Sequence, residues 1–180
     1  GTSDAPGTKI VSLSGTLSRS GVAEIEMGTS LRDILESIGG EVIEGSLSSV
    51  AVGGPSSGVL PVEKLSHKIG PGFIDGGNVM VGAGGIIGIG IGSDPLETTG
   101  KLAEYNANES CGKCTPCREG TPRIVGMLEE MRSGGIDASR LEILKDLCET
   151  VNAASLCGLG QAAPTALIKS FEFFRDDLPT

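Results

Sequence analysis

The chain has few aromatic and basic residues, which excludes several classes of partner. Its 180 residues contain no tryptophan, one tyrosine and four phenylalanines, and 14 lysines and arginines are outnumbered by 23 aspartates and glutamates, so the net charge is −9. Phosphate binding needs a basic surface, and base stacking needs aromatic rings. We therefore predict that the protein has no nucleic-acid partner.

Long apolar runs are also missing. The most apolar stretch, Val79 to Ile91, is short and repeatedly interrupted by glycine, whereas a membrane-spanning helix needs about 20 consecutive apolar residues. We predict no direct membrane insertion. Because no segment resembles a signal peptide either, the predicted location is cytoplasmic, including the cytoplasmic side of a membrane complex.

Four of the five cysteines form a pattern typical of cluster ligands. Cys111, Cys114 and Cys117 form a C-x-x-C-x-x-C run, and Cys157 follows much later. Two intervening residues allow successive thiolates to lie on one side of a tight loop, while the fourth thiolate must come from a segment that folds back. This set suits a four-iron, four-sulfur cluster, so the chain is predicted to carry single electrons.

The residues around the run agree with this prediction. Lys113, Arg118 and Arg123 are concentrated here in an otherwise acidic chain, and cations should stabilise an anionic cluster and raise its potential. Pro116 disfavours helical backbone at Thr115, which favours a loop at the second ligand and permits a helix to begin at Pro116. The N-terminus of that helix would direct partial positive charge at the cluster.

Zinc binding and disulfide formation are alternative uses of these thiols. Structural zinc also takes four cysteines, although its ligands usually come as two paired C-x-x-C knuckles. Disulfides are disfavoured by the odd number of cysteines and by the expected reducing compartment. The fifth cysteine, Cys148, falls in a helical apolar stripe with Leu144 and Val151, which predicts a small core residue.

A change of composition near the midpoint predicts an α+β chain with two domains. Residues 1–94 are expected to form a small β-grasp (ubiquitin-like) domain, and residues 95–180 a three- to four-helix iron-sulfur domain. The first domain is predicted to contain strands in Lys9–Leu17, Val22–Met27 and Val50–Val52, a helix at Leu31–Ile38, and one or two further strands in Val79–Val81 and Ile86–Ile91.

The second domain has helical spacing of apolar residues. A weak helix at Leu102–Asn106 leads into the cysteine run, and Thr121-Pro122 is predicted to cap and begin the next helix, which ends at Gly134-Gly135. Asp137 can cap a third helix, and the last is expected from about Pro164 to Phe174. Cys157 is predicted to lie in the connection before that last helix.

Glycine-rich segments in the first half do not complete a nucleotide-binding motif. The stretch Gly82 to Ile87 offers two glycines of a dinucleotide fingerprint but has Ile87 at its sixth position, and no lysine follows Gly58 as a phosphate-binding loop would need. Turns and close strand contacts are the preferred interpretation of these glycines.

The motif E-S-C-G-K-C-T-P-C-R-E-G-T at 109–121 resembles the C-terminal part of the NADH-binding flavoprotein subunit of respiratory complex I (NADH dehydrogenase). It is similar also to diaphorase subunits of NAD(P)-linked hydrogenases and formate dehydrogenases. Supporting motifs are G-G-P-S-S-G at 53–58 and S-L-C-G-L-G-Q-A-A-P at 155–164. The resemblance spans essentially the whole chain and implies one 4Fe-4S cluster with four ligands: Cys111, Cys114, Cys117 and Cys157.

The resemblance also implies a function. In the intact subunit, NADH reduces FMN, and the cluster takes single electrons from FMNH2 and passes them to partner iron-sulfur subunits. The family's N-terminal FMN/NADH domain has no counterpart in these residues, so that domain is an expected partner, FMN and NADH are expected only in the intact subunit, and this chain alone is predicted to be inactive. An alternative is a soluble-ligand-binding (SLBB) or subunit-docking module with a structural cluster.

Overall fold

The computed structural model describes residues 1–40, 47–74 and 79–174. The chain divides into two compact units, Gly1–Ser93 and Asp94–Thr180. Within the described ranges, no helix combines the length and the apolar character needed to cross a membrane.

The described part of the first unit contains a five-stranded mixed sheet, one short helical segment at residues 31–38 and a 3-10 turn at Val62–Lys64. Its strands follow the order β2-β1-β5-β3-β4, in which β1 and β5 are parallel and the other neighbours are antiparallel. A central parallel pair made by the first and last strands is the arrangement of a β-grasp, so the predicted fold class is confirmed. The strands are β1 Thr8–Gly15, β2 Gly21–Glu26, β3 Leu47–Val52, β4 Gly58–Pro61 and β5 Gly85–Gly90.

The helical segment of this unit begins as predicted. Helix α1, Leu31–Asp33, continues as a π-helical turn, Ile34–Ile38. The Ser30 hydroxyl caps α1 by accepting a hydrogen bond from the Asp33 amide at 3.1 Å. The face with apolar residues at helical spacing is buried in the core of the unit, and its fully buried members are Leu31, Ile34 and Leu35.

Two predictions for the sheet were wrong. Strand β4 was missed because its four residues, which include Pro61, are too short to show alternation. The segment Val79–Val81 is not a strand; its Met80 makes only an isolated bridge with Phe73. Val79 and Val81 are nevertheless buried, which explains why their sequence resembled that of a strand.

The glycine-rich segments pack against each other, as the sequence suggested. The Gly53 amide donates a hydrogen bond to the Gly85 carbonyl at 2.7 Å. Gly53 and Gly82 have positive φ angles of 86° and 50°, and a Cβ atom on Gly82 would collide with the Gly53 carbonyl oxygen. Glycine is therefore required by backbone packing at these positions.

The described part of the second unit contains five helices, rather than the three or four predicted. The additional one is the short α5, which the sequence did not indicate. The helices pack around a shared apolar core that includes Ile124, Met127, Leu128, Leu144 and Val151. Their bounds are α2 Pro95–Asn108, α3 Thr115–Gly134, α4 Ala138–Ala154, α5 Gly158–Ala162 and α6 Thr165–Phe173.

Helix caps were predicted with mixed success. Asp137 caps α4 as expected, because its carboxylate accepts a hydrogen bond from the Arg140 amide at 2.8 Å. The predicted cap at Thr121-Pro122 was wrong, since α3 begins at Thr115 and passes through Pro122. Proline inside a helix costs about 3 kcal/mol, but the buried face of α3 continues on both sides of it, so packing outweighs this local preference.

Candidate metal-cluster site

The three clustered cysteines surround the N-terminal end of α3. Cys114 is the N-cap residue of this helix, with extended backbone angles of −103° and 138°. Cys117 lies in the first helical turn and is buried, Cys114 is partly exposed, and Cys111 is exposed in the preceding loop. The tight spacing therefore places the three cysteines at or just before one helix terminus, where unpaired amide groups favour negative charge.

Arg118 holds the loop that carries the first two thiols. Its guanidinium donates to the Gly112 carbonyl at 2.8 Å and to the Thr115 hydroxyl at 3.5 Å. Gly112 has a φ of 72°, which allows the loop to turn back on itself. Of the cations that the sequence singled out, Arg118 contacts this loop, whereas Arg123 forms an ion pair with Glu130.

Ser110 connects the start of this loop to the third thiol. Its hydroxyl oxygen lies 3.2 Å from the Cys117 sulfur. The Gly112 amide donates to the same hydroxyl oxygen at 3.3 Å. A polar side chain is thus in direct contact with a candidate ligand.

The segment that precedes Cys157 folds back onto the cysteine run. Helix α4 ends at Ala154, and the Leu156 amide is the main cause of the lowered pKa of Cys114. Cys157 follows directly, is exposed, and is the N-cap residue of α5. Cys157, the fourth predicted ligand, is therefore the next residue after Leu156, whose amide acts on Cys114, the second predicted ligand.

Gly160 allows this close approach. A Cβ atom at this position would lie 2.5 Å from the Ser155 hydroxyl oxygen and 3.0 Å from the Cys117 Cβ atom. Real Cβ atoms do not come as close as 2.5 Å to a neighbour, so only glycine fits without displacement. The Gln161 side chain also donates to the Ser155 carbonyl at 3.1 Å. Residues 155–160 are therefore fixed directly against Cys117.

The surroundings of Cys114 favour its thiolate form. Its pKa is lowered chiefly by the Leu156 amide, then by the Cys117 amide, the Ser155 hydroxyl and its own amide, while burial acts in the opposite direction. Donors directed at a sulfur stabilise the negative form. A thiolate is the form that binds iron, so this environment suits a ligand.

Cys148 shows the opposite behaviour. It lies in the apolar core of the second unit and is fully buried. Burial, with a smaller contribution from the Glu149 charge, raises its pKa to about 12. It therefore remains a neutral thiol, and its predicted role as a small core residue is confirmed.

The residues present fit an iron-sulfur cluster. The donors are thiols, which is the ligand type that such clusters take, and the lowered pKa of Cys114 favours the thiolate form that binds iron. Within the described ranges, no three His, Cys, Asp or Glu side chains are arranged to hold a single metal ion. Each thiolate of a four-iron cluster binds a different iron atom, so the four sulfurs need not converge on one point.

Sequence reasoning missed three residues that contact the cysteines. Ser110, Ser155 and Gly160 all lie inside the two motifs that carried the family resemblance. Their place inside these motifs was the only sequence feature that pointed to them. Their contacts with Cys114 and Cys117 depend on how residues 155–160 fold against α3, which no local pattern encodes.

Comparison with known proteins supports this assignment. Residues 97–180 match the family described as the NADH-ubiquinone oxidoreductase-F iron-sulfur binding region. The NADP-reducing hydrogenase subunit HndC of Solidesulfovibrio fructosivorans is 32% identical over 98% of this chain and 36% of its own length. The F 2 subunit of the NADH-quinone oxidoreductase of Rhizobium meliloti (strain 1021) is 32% identical over 95% of this chain and 41% of its own length.

A solved structure is similar as well. The NAD+-reducing NiFe hydrogenase in its H2-reduced state matches with a TM-score of 0.85 and 29% identity, over 97% of this chain and 29% of that chain. The present chain thus spans well under half the length of each of these proteins.

The fold and the thiol site together are similar to the iron-sulfur-binding part of these oxidoreductase subunits. Residues 97–180 are the part of the chain that matches the NADH-ubiquinone oxidoreductase-F iron-sulfur binding region. The resemblance noted in the sequence is thereby confirmed, as is the 4Fe-4S cluster as the cofactor of this family.

Proposed function

We propose that this chain is the electron-relay part of an NAD(P)H dehydrogenase flavoprotein subunit and that Cys111, Cys114, Cys117 and Cys157 bind one 4Fe-4S cluster. The observation that carries this proposal is the packing of residues 155–160 against the cysteine run, where a Cβ atom on Gly160 would lie only 3.0 Å from the Cys117 Cβ atom. The segment of the remote fourth cysteine therefore lies against the third. Residues 95–180 are then the cluster-binding domain, and residues 1–94 an SLBB-like β-grasp domain.

The chain's own residues would serve a one-electron carrier in several ways. When bound, a 4Fe-4S cluster accepts and releases one electron at a time. Cys114 is the N-cap residue of α3, so the amide groups at that helix terminus stabilise the added negative charge. The Arg118 guanidinium, fixed over the loop, adds to this effect.

The burial of the cysteines suggests which side of the site faces a partner. Cys117 is only 5% exposed, whereas Cys111 and Cys157 are exposed. Electrons would pass most readily through the exposed side, because the path to a partner is shortest there. The proposed donor is FMNH2 on the FMN/NADH domain of the same subunit, and the proposed acceptors are other iron-sulfur subunits.

The names of the relatives support this context. They are subunits of an NADP-reducing hydrogenase and of an NADH-quinone oxidoreductase. A set of thiol ligands must also stay reduced before it binds iron, which supports a cytoplasmic location.

Anaerobic reconstitution of the 180-residue chain with iron and sulfide tests the relay. We expect a brown protein with one 4Fe-4S cluster per chain and an electron paramagnetic resonance signal that appears on reduction with dithionite. A cluster that cannot be reduced would contradict the relay. The same preparation should not oxidise NADH with an artificial electron acceptor. Oxidation of NADH by this chain alone would contradict the proposal that FMN and NADH bind to a separate domain.

The alternative is a docking module with a structural cluster. It is favoured by two apolar residues on the outer face of the β1–β2 pair, Ile10 and Val22, which are 56% and 73% exposed. An isolated apolar pair is common on protein surfaces. A redox-inactive cluster together with tight binding of a ligand to the first unit would establish this alternative.

A further inference from the structure

Ser110 is placed to donate a hydrogen bond to a candidate ligand sulfur. Its hydroxyl oxygen accepts from the Gly112 amide at 3.3 Å and lies 3.2 Å from the Cys117 sulfur. A hydroxyl has one hydrogen and two lone pairs. Because the Gly112 amide uses a lone pair, the hydroxyl hydrogen remains for the sulfur. An iron-bound thiolate carries no hydrogen, so in the cluster-bound state the direction can only be from Ser110 to Cys117.

We infer that Ser110 is a positioning residue that donates a hydrogen bond to the sulfur of Cys117 and thereby raises the reduction potential of the cluster. The inference rests on the ligand set given under the proposed function. Reduction adds one electron, and the added charge spreads onto the cysteine sulfurs. A hydrogen bond to such a sulfur stabilises the reduced state more than the oxidised state, so the potential rises.

The test compares midpoint potentials of the anaerobically reconstituted 180-residue chain and its variants, titrated while electron paramagnetic resonance is recorded. Ser110→Ala should shift the potential to a more negative value. Ser110→Thr keeps a hydroxyl and should restore most of the parent value. Ser133→Ala is the control, because this exposed hydroxyl donates to the Glu129 carbonyl within α3, and it should titrate with the parent.

Two other outcomes would overturn the inference. The first is a Ser110→Ala chain that carries a full cluster at the parent potential. The second is a Ser110→Ala chain that folds but assembles no cluster, because the hydroxyl is then needed for assembly. A parent chain that assembles no cluster would overturn the proposed function itself.

Discussion

Cys114 lies directly before α3 and Cys148 lies in the middle of α4, and the surroundings of the two thiols differ in polarity. Cys114 meets backbone amides and a hydroxyl, and its pKa is lowered. Cys148 meets an apolar core, and its pKa is raised to about 12. The comparison shows that the groups around a cysteine, rather than its presence in a helical unit, decide whether it can become a ligand.

Thiol reactivity should show the largest difference between these two regions. At pH 8, a thiol with a pKa of about 12 is ionised in about one molecule in 10,000, whereas the lowered pKa of Cys114 places more of it in the reactive thiolate form. Iodoacetamide should therefore modify Cys114 in the cluster-free folded chain and leave Cys148 unmodified, as measured by peptide mass spectrometry. As the pH is raised, the rate of modification should increase for Cys114 before it increases for Cys148. Equal rates for the two residues would contradict the comparison.

Gly160→Ala should have the next largest effect. The added Cβ would displace Ser155 or Cys117, and disturbing groups that support metal ligands typically costs about 10- to 100-fold in metal affinity. Gly158→Ala is the matched control, because its Cβ would meet no atom within 4 Å. Competition for iron with a chelator measures both variants. If Gly160→Ala bound the cluster as tightly as Gly158→Ala, the described packing of residues 155–160 would be wrong.

Arg118→Ala should have a smaller effect. It removes exposed hydrogen bonds to Gly112 and Thr115, each worth about 1 kcal/mol, which corresponds to about fivefold in an equilibrium constant. The loop with Cys111 should then release the cluster several-fold faster in the presence of a chelator. Arg123→Ala, which removes an ion pair with Glu130, should release it at the parent rate. Equal release from both variants would show that Arg118 does not hold the loop.

Local patterns predicted the features of the molecule that depend on neighbouring residues. The cysteine spacing, the cap at Asp137, the apolar face of α1 and the core position of Cys148 all follow from residues close in sequence. Features that depend on tertiary packing were missed or mistaken. Helix α3 continues through Pro122 because its face is buried beyond it, and α5 is too short to show periodicity.

The supporting residues of the site belong to the second group. Ser110, Ser155 and Gly160 have ordinary local sequences, and their roles appear only when residues 155–160 lie against Cys117. The sequence could therefore nominate the ligands, which remain a prediction, but it could not identify the residues that hold and surround them.

The most direct test of the account compares cluster loading in two cysteine variants of the 180-residue chain. After anaerobic reconstitution, Cys157→Ser should lose most of the iron, the acid-labile sulfide and the signal on reduction. Cys148→Ala should retain them, because Cys148 lies in the apolar core away from the amides that surround Cys114. A full 4Fe-4S cluster in Cys157→Ser, or its loss in a folded Cys148→Ala chain, would contradict the account.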